Sequence, residues 1–169
     1  MEKSFVPTDA ELAALAVCTA AAMQRHSSML ASAESCTGGW IAKTLTDLSG
    51  SSAWFEAGVV SYSNAAKMSL LGVRRETLER FGAVSKETAL EMASGAVDRL
   101  NADVAVAVTG IAGPTGGTPD KPVGTVWIGW ARRSGAAHAR LFHFEGDREA
   151  VRRQTVAEAL EGVLAILTN

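Results

Sequence analysis

Hydrophobic and polar positions switch between two periods along the chain, and the switches lay out an alternation of helices and strands. Thr8 followed three residues later by Glu11 forms a capping box ahead of an Ala/Leu-rich run, which predicts a helix over residues 8–26. A short strand is expected at 29–33. The small polar cluster Glu34-Ser35-Cys36-Thr37-Gly38-Gly39 then opens a helix that runs from Trp40 and ends near Ser49-Gly50. Val59, Val60 and Tyr62 mark a strand over 57–63, and 64–71 returns to helical spacing until Gly72 stops it. A short helix at 76–80 leads through Phe81-Gly82-Ala83-Val84 to Ser85, a suitable N-cap for a helix over 86–100. The run DVAVAVT at 103–109 is continuously apolar, as in a strand covered on both faces. A glycine-rich loop from Gly110 follows, then strands over 123–131 and 137–144 and a last helix over 147–167.

The final two strands form an antiparallel hairpin, whereas the earlier alternation favours parallel neighbours. The expected fold is therefore α/β: a three-layer α/β/α sandwich around a mixed, mainly parallel sheet. Strand order does not follow from the pattern.

Composition narrows the class. The chain has 169 residues, 47% hydrophobic, enough for one domain spanning 1–169 with a core of its own. Sixteen Lys and Arg against eighteen Asp and Glu give a net charge of −2, which argues against nucleic acid as a partner. Cys18 and Cys36 make no disulfide framework and no metal-ligand spacing, so two free thiols in a reducing cytoplasm are expected. Residues 12–23 are apolar but follow Glu2, Asp9 and Glu11 rather than a basic run, which reads as a helix and not a signal peptide. No stretch reaches the roughly 18 to 20 apolar residues that span a bilayer, so no membrane association is expected.

In open α/β sheets ligands bind at the carboxyl ends of strands, and two loops there have unusual composition. Ser35, Cys36 and Thr37 fall where backbone N–H groups open a helix, a setting able to hold an oxyanion beside a nucleophile. The plain alternative is that Ser35 or Thr37 caps the helix. A serine needs a base, and His26, His138 and His143 show no motif joining them to Ser35. Lys67 is the other candidate base, provided burial makes it neutral; an ordinary helical lysine would face solvent. Cys36 is open as a nucleophile on the same grounds, or as a small apolar filler behind the turn. The loop Thr109-Gly110-Ile111-Ala112-Gly113-Pro114 lacks the lysine of a P-loop and does not fit GxGxxG, but its glycines let backbone approach a phosphate or carboxamide. Arg148, Arg152 and Arg153 offer charge for a substrate phosphate, or sit on a solvated face.

Five strings together resemble the CinA C-terminal family: Ala33-Glu34-Ser35-Cys36-Thr37-Gly38-Gly39, Val60-Ser61-Tyr62-Ser63-Asn64-Ala65-Ala66-Lys67, Phe81-Gly82-Ala83-Val84-Ser85, Thr109-Gly110-Ile111-Ala112-Gly113-Pro114 and Lys121-Pro122-Val123-Gly124-Thr125-Val126. They occur in the family's order over residues 10–164. Stand-alone members of that family are nicotinamide mononucleotide deamidases, so the resemblance implies hydrolysis of the nicotinamide carboxamide to nicotinic acid mononucleotide and ammonia, in pyridine nucleotide recycling. It puts the nucleophile on Ser35, the base on Lys67 and a supporting tyrosine on Tyr62, with Cys36 a neighbour.

On that resemblance, backbone at Cys36, Thr37, Gly38 and Gly39 is expected to hold the oxyanion. Asn64, Thr109, Gly110, Gly113 and Arg148 are expected to contact substrate. No metal or organic cofactor is required, and at least a homodimer is expected. Larger members carry a preceding molybdopterin-binding-like domain with pyrophosphatase activity, which is not expected here. The competing readings are a non-catalytic nucleotide-binding module, in keeping with the family's link to competence and DNA damage, and a generic small-molecule amidase.

Overall fold

The computed structural model describes residues 5–168; the remainder of the expected 1–169 domain lies outside the described residues. Twelve elements follow one another: α1 (Asp9–Arg25), β1 (Leu30–Glu34), α2 (Trp40–Thr46), a 3-10 turn (Ser51–Ala53), β2 (Phe55–Val60), α3 (Asn64–Leu71), α4 (Arg75–Phe81), α5 (Lys86–Arg99), β3 (Val104–Gly110), β4 (Thr125–Arg132), β5 (His138–His143) and α6 (Arg148–Thr168).

Local chemistry explains several boundaries. At α1 the Thr8 hydroxyl accepts from the Glu11 N–H at 3.2 Å while Glu11 accepts from the Thr8 N–H at 2.7 Å, the reciprocal capping box. Ser63 and Ser85 cap α3 and α5 by accepting from the N–H groups of Ala66 and Thr88. Gly72 ends α3 at φ +72°, a left-handed conformation that costs glycine little.

The sheet order is β2-β1-β3-β4-β5. β1 pairs in parallel with β2 and β3, while β4 is antiparallel to both β3 and β5. Four strands thus run one way and β4 the other, a mixed sheet as the pattern indicated. On one face, α1, α2 and α6 pack over Leu30, Val104, Val106, Val108, Val126, Ile128 and Trp130. On the other, α3, α4 and α5 pack over Ala31, Ala33, Ala105, Ala107 and Ala131. The alternation along β3 therefore separates a valine face from an alanine face. α5 comes so close to the sheet that a Cβ on Gly129 would lie 2.6 Å from the Ala89 carbonyl oxygen. No described helix is long and apolar enough to cross a membrane.

Candidate functional site

The chain leaves β1 toward α2 on the valine face and leaves β2 toward α3 on the alanine face. Both connections leave the carboxyl ends of adjacent parallel strands, the end of the sheet at which α/β proteins bind ligands. Ser35 directly follows β1, and Lys67 projects from the first turns of α3 after β2. Their side chains meet: Lys67 Nζ lies 2.9 Å from Ser35 Oγ, 2.8 Å from the Ser61 carbonyl and 3.3 Å from the Tyr62 carbonyl.

Lys67 is 1% exposed, and its Nζ is hydrogen-bonded to uncharged oxygens. Desolvation of the ammonium holds its pKa below the usual lysine range. The ordinary solvated helical lysine is thus ruled out for this position. Histidine has no part in the pair. His26 follows the end of α1, His138 stacks on Trp130, and His143 lies on β5, three strands from β1.

The turn after Ser35 departs from expectation in an instructive way. Neither Ser35 nor Thr37 caps α2. That helix starts at Trp40, and its first free N–H groups are taken by a buried carboxylate: Glu34 accepts from Ile41 at 2.8 Å and Ala42 at 3.0 Å. The Thr37 hydroxyl also donates to Glu34, at 2.6 Å. The α2 terminus is therefore occupied by the protein's own anion rather than open to a substrate oxyanion. Gly38 N–H is engaged as well, donating to the Ser35 carbonyl at 3.1 Å, and Gly39 is the left-handed N-cap residue at φ +101°. Cys36 is buried, and desolvation pushes its thiol up to about 12, so it is protonated at neutral pH and unsuited to attack.

The remaining expected contacts divide. The Tyr62 side chain is 60% exposed and makes no hydrogen bond to Lys67; its backbone carbonyl does, while its hydroxyl accepts from Arg148 at 3.2 Å. Arg148 also donates to the Gly113 carbonyl at 2.8 Å, tying the glycine-rich loop to Tyr62. Thr109 and Gly110 have structural work instead: the Thr109 hydroxyl donates to Ala83 at 2.7 Å, and a Cβ on Gly110 would lie 2.6 Å from Val126. Asn64 is an exposed first residue of α3 and is not among the hydrogen-bond partners of Lys67 Nζ. Arg153 is held by Asp9 and Glu149, and Arg152 donates to the Cys36 carbonyl at 3.1 Å and the Thr37 carbonyl at 3.0 Å.

Glu34 and Arg152 were not singled out as the supports of the turn. A signal for Glu34 was present: a carboxylate closing an apolar strand has to find donors nearby. Arg152 was expected at a substrate phosphate or on a solvated face, and nothing local tied it to Cys36, 116 residues away.

These features define an α/β protein with a desolvated serine–lysine pair at the carboxyl ends of two parallel strands of a mixed sheet. The chain belongs to the CinA C-terminal domain family, whose model matches residues 12–167. It is 52% identical over 154 residues to the nicotinamide-nucleotide amidohydrolase PncC of Escherichia coli (strain K12), covering 91% of this chain and 93% of that protein. It is also 52% identical over 147 residues to the protein of the same name from Pseudomonas putida, covering 87% and 91% respectively. Among solved structures, the competence/damage inducible protein CihA from Agrobacterium tumefaciens superposes with a TM-score of 0.91 at 45% identity, over 99% of this chain and 100% of that one. A CinA superfamily protein from Klebsiella pneumoniae gives 0.89 at 38% identity, over 93% and 98%.

Proposed function

We propose that this protein hydrolyses the carboxamide of nicotinamide mononucleotide to nicotinic acid mononucleotide and ammonia, with Ser35 as nucleophile and Lys67 as general base, in pyridine nucleotide recycling. The relatives named above support the substrate, and the observation that carries the chemistry is the 2.9 Å contact between a buried lysine and Ser35 Oγ. A neutral amine has two N–H donors and one lone pair. With the donors directed to the Ser61 and Tyr62 carbonyls, the lone pair is left for the Ser35 hydroxyl proton.

Lys67 takes that proton as Oγ attacks the carboxamide carbon, and the resulting ammonium returns it to the leaving nitrogen, releasing ammonia. Water, deprotonated by Lys67, then cleaves the acyl-enzyme. Backbone N–H groups of the turn after Ser35 stabilise the oxyanion, and of these the Gly38 N–H is available only if it leaves the Ser35 carbonyl. Arg148 joins the Gly113 carbonyl of the glycine-rich loop to the hydroxyl of Tyr62, whose own carbonyl accepts from Lys67, and is the favoured contact for the ribose phosphate.

Ammonia release from nicotinamide mononucleotide tests this directly. Wild type is expected to turn over, Ser35→Ala and Lys67→Ala to lose activity while remaining folded, and Cys36→Ala to lose little. Full activity in Ser35→Ala would overturn the serine mechanism. Binding of the nucleotide by wild type without ammonia release would replace the enzyme with a nucleotide-binding module, and equal use of free nicotinamide would make it a general amidase.

A further inference from the structure

The peptide groups that follow Ser35 are held from two sides. Glu34, fully buried, receives the Thr37 hydroxyl and the N–H groups of Ile41 and Ala42. Arg152, entering from α6, uses Nε and Nη2 to hold the Cys36 and Thr37 carbonyls at 3.1 and 3.0 Å. Two donors on one edge of a planar guanidinium draw both carbonyls the same way, a fork that a lysine ammonium does not reproduce.

Both peptide bonds concerned are trans, the one cis bond among the described residues being Gly113-Pro114. In a trans peptide the C=O and the following N–H point in opposite directions. Pulling the Cys36 and Thr37 carbonyls toward Arg152 therefore turns the Thr37 and Gly38 N–H groups away from it. The Gly38 N–H shows which side that is, since it reaches the Ser35 carbonyl. The Thr37 N–H is turned to the same side.

We infer that Arg152 is a positioning residue for the reaction: by holding the Cys36 and Thr37 carbonyls it aims the Thr37 N–H at the Ser35 side of the turn, where the oxyanion forms. Arg152 touches neither substrate nor Ser35 Oγ in this role. Its action is spent on the transition state, because a carbonyl oxygen gains its full negative charge only after attack, and an aimed donor then matters most. The inference rests on the deamidase reading and specifies which backbone donor serves it.

The test uses the full chain with nicotinamide mononucleotide, comparing wild type with Arg152→Met, Arg152→Lys and Arg152→Ala. Loss of an oxyanion donor costs about 100- to 1,000-fold in kcat, so a donor left in place but unaimed is expected to cost about 10- to 100-fold, with KM changed less than about twofold. Arg152→Lys, able to satisfy one carbonyl at a time, should fall between wild type and Arg152→Met. Added guanidinium ion should restore part of the kcat of Arg152→Ala, which a loss due only to looser packing would not show. The inference is overturned if kcat stays at the wild-type value in Arg152→Met, or if kcat falls equally in all three variants in step with thermal stability and guanidinium restores nothing. Absence of ammonia release by wild type would be a separate result, overturning the deamidase reading itself.

Discussion

A buried lysine whose pKa is depressed leaves a thermodynamic trace. Unfolded, Lys67 titrates near 10.4; folded, desolvation makes it release its proton at lower pH. Between those two values the unfolded chain binds more protons than the folded one, so stability climbs as pH rises. Below the folded value both states are protonated and the native state carries the whole cost of an enclosed ammonium. Lys67→Met is therefore expected to raise the thermal midpoint, and by more at pH 6 than at pH 10. A gain independent of pH would show that Lys67 is not held below its ordinary range. The same residue marks the limit of reading the sequence alone. Ser35 and Lys67 were identifiable as chemical types near strand ends, but their 32-residue separation becomes a 2.9 Å contact only through the pairing of β1 with β2.

Single elements were legible where their signals are local. The capping box of α1, the serine caps of α3 and α5 and the glycine stop of α3 each lie within four residues of the boundary they set. α2 begins at Trp40 as expected but ends at Thr46, before Ser49-Gly50, and its cap lay out of local reach: its first N–H groups are held by a side chain from the preceding strand, with a turn in between. That cap gives a prediction for the element. In Glu34→Gln one carboxylate oxygen becomes an NH₂ group, so either the Ala42 N–H or the Ile41 N–H and Thr37 hydroxyl must face a donor. An unsatisfied buried group costs about 1–3 kcal/mol. Thermal unfolding should show a loss of that order, and turnover should fall about tenfold or more because the start of α2 and the Ser35 turn share the support. Unchanged turnover in a destabilised protein would separate the cap from the chemistry.

Across the whole molecule, Ser35 follows β1 on the way to the layer of α1, α2 and α6, and Lys67 belongs to the layer of α3, α4 and α5, with the sheet between the layers. The strand order that puts them side by side was beyond sequence patterning, since apolar runs identify strands but carry no address for their neighbours. Spacing between the layers is set partly by residue size on the sheet. Ala105 and Ala107 lie beneath α5, and α5 meets α3 so closely that a Cβ on Gly95 would fall within bonding range of the Leu71 carbonyl. Ala107→Leu is expected to destabilise by about 1–3 kcal/mol through overpacking and to displace α5 together with α3. Turnover should drop while circular dichroism still reports a folded α/β protein. Wild-type turnover in that variant would mean the layer spacing is not transmitted to Lys67.

The valine and alanine faces of β3 also bear on how this sequence can drift over generations. Positions 104, 106 and 108 can exchange one branched aliphatic residue for another, because the helices above them meet ordinary side chains. Positions 105 and 107 can lengthen only by lifting a helix. Over residues 104–108 the strand thus places two different tolerances side by side, alternating residue by residue: room to exchange branched aliphatics toward α6, and little room to lengthen a side chain toward α5.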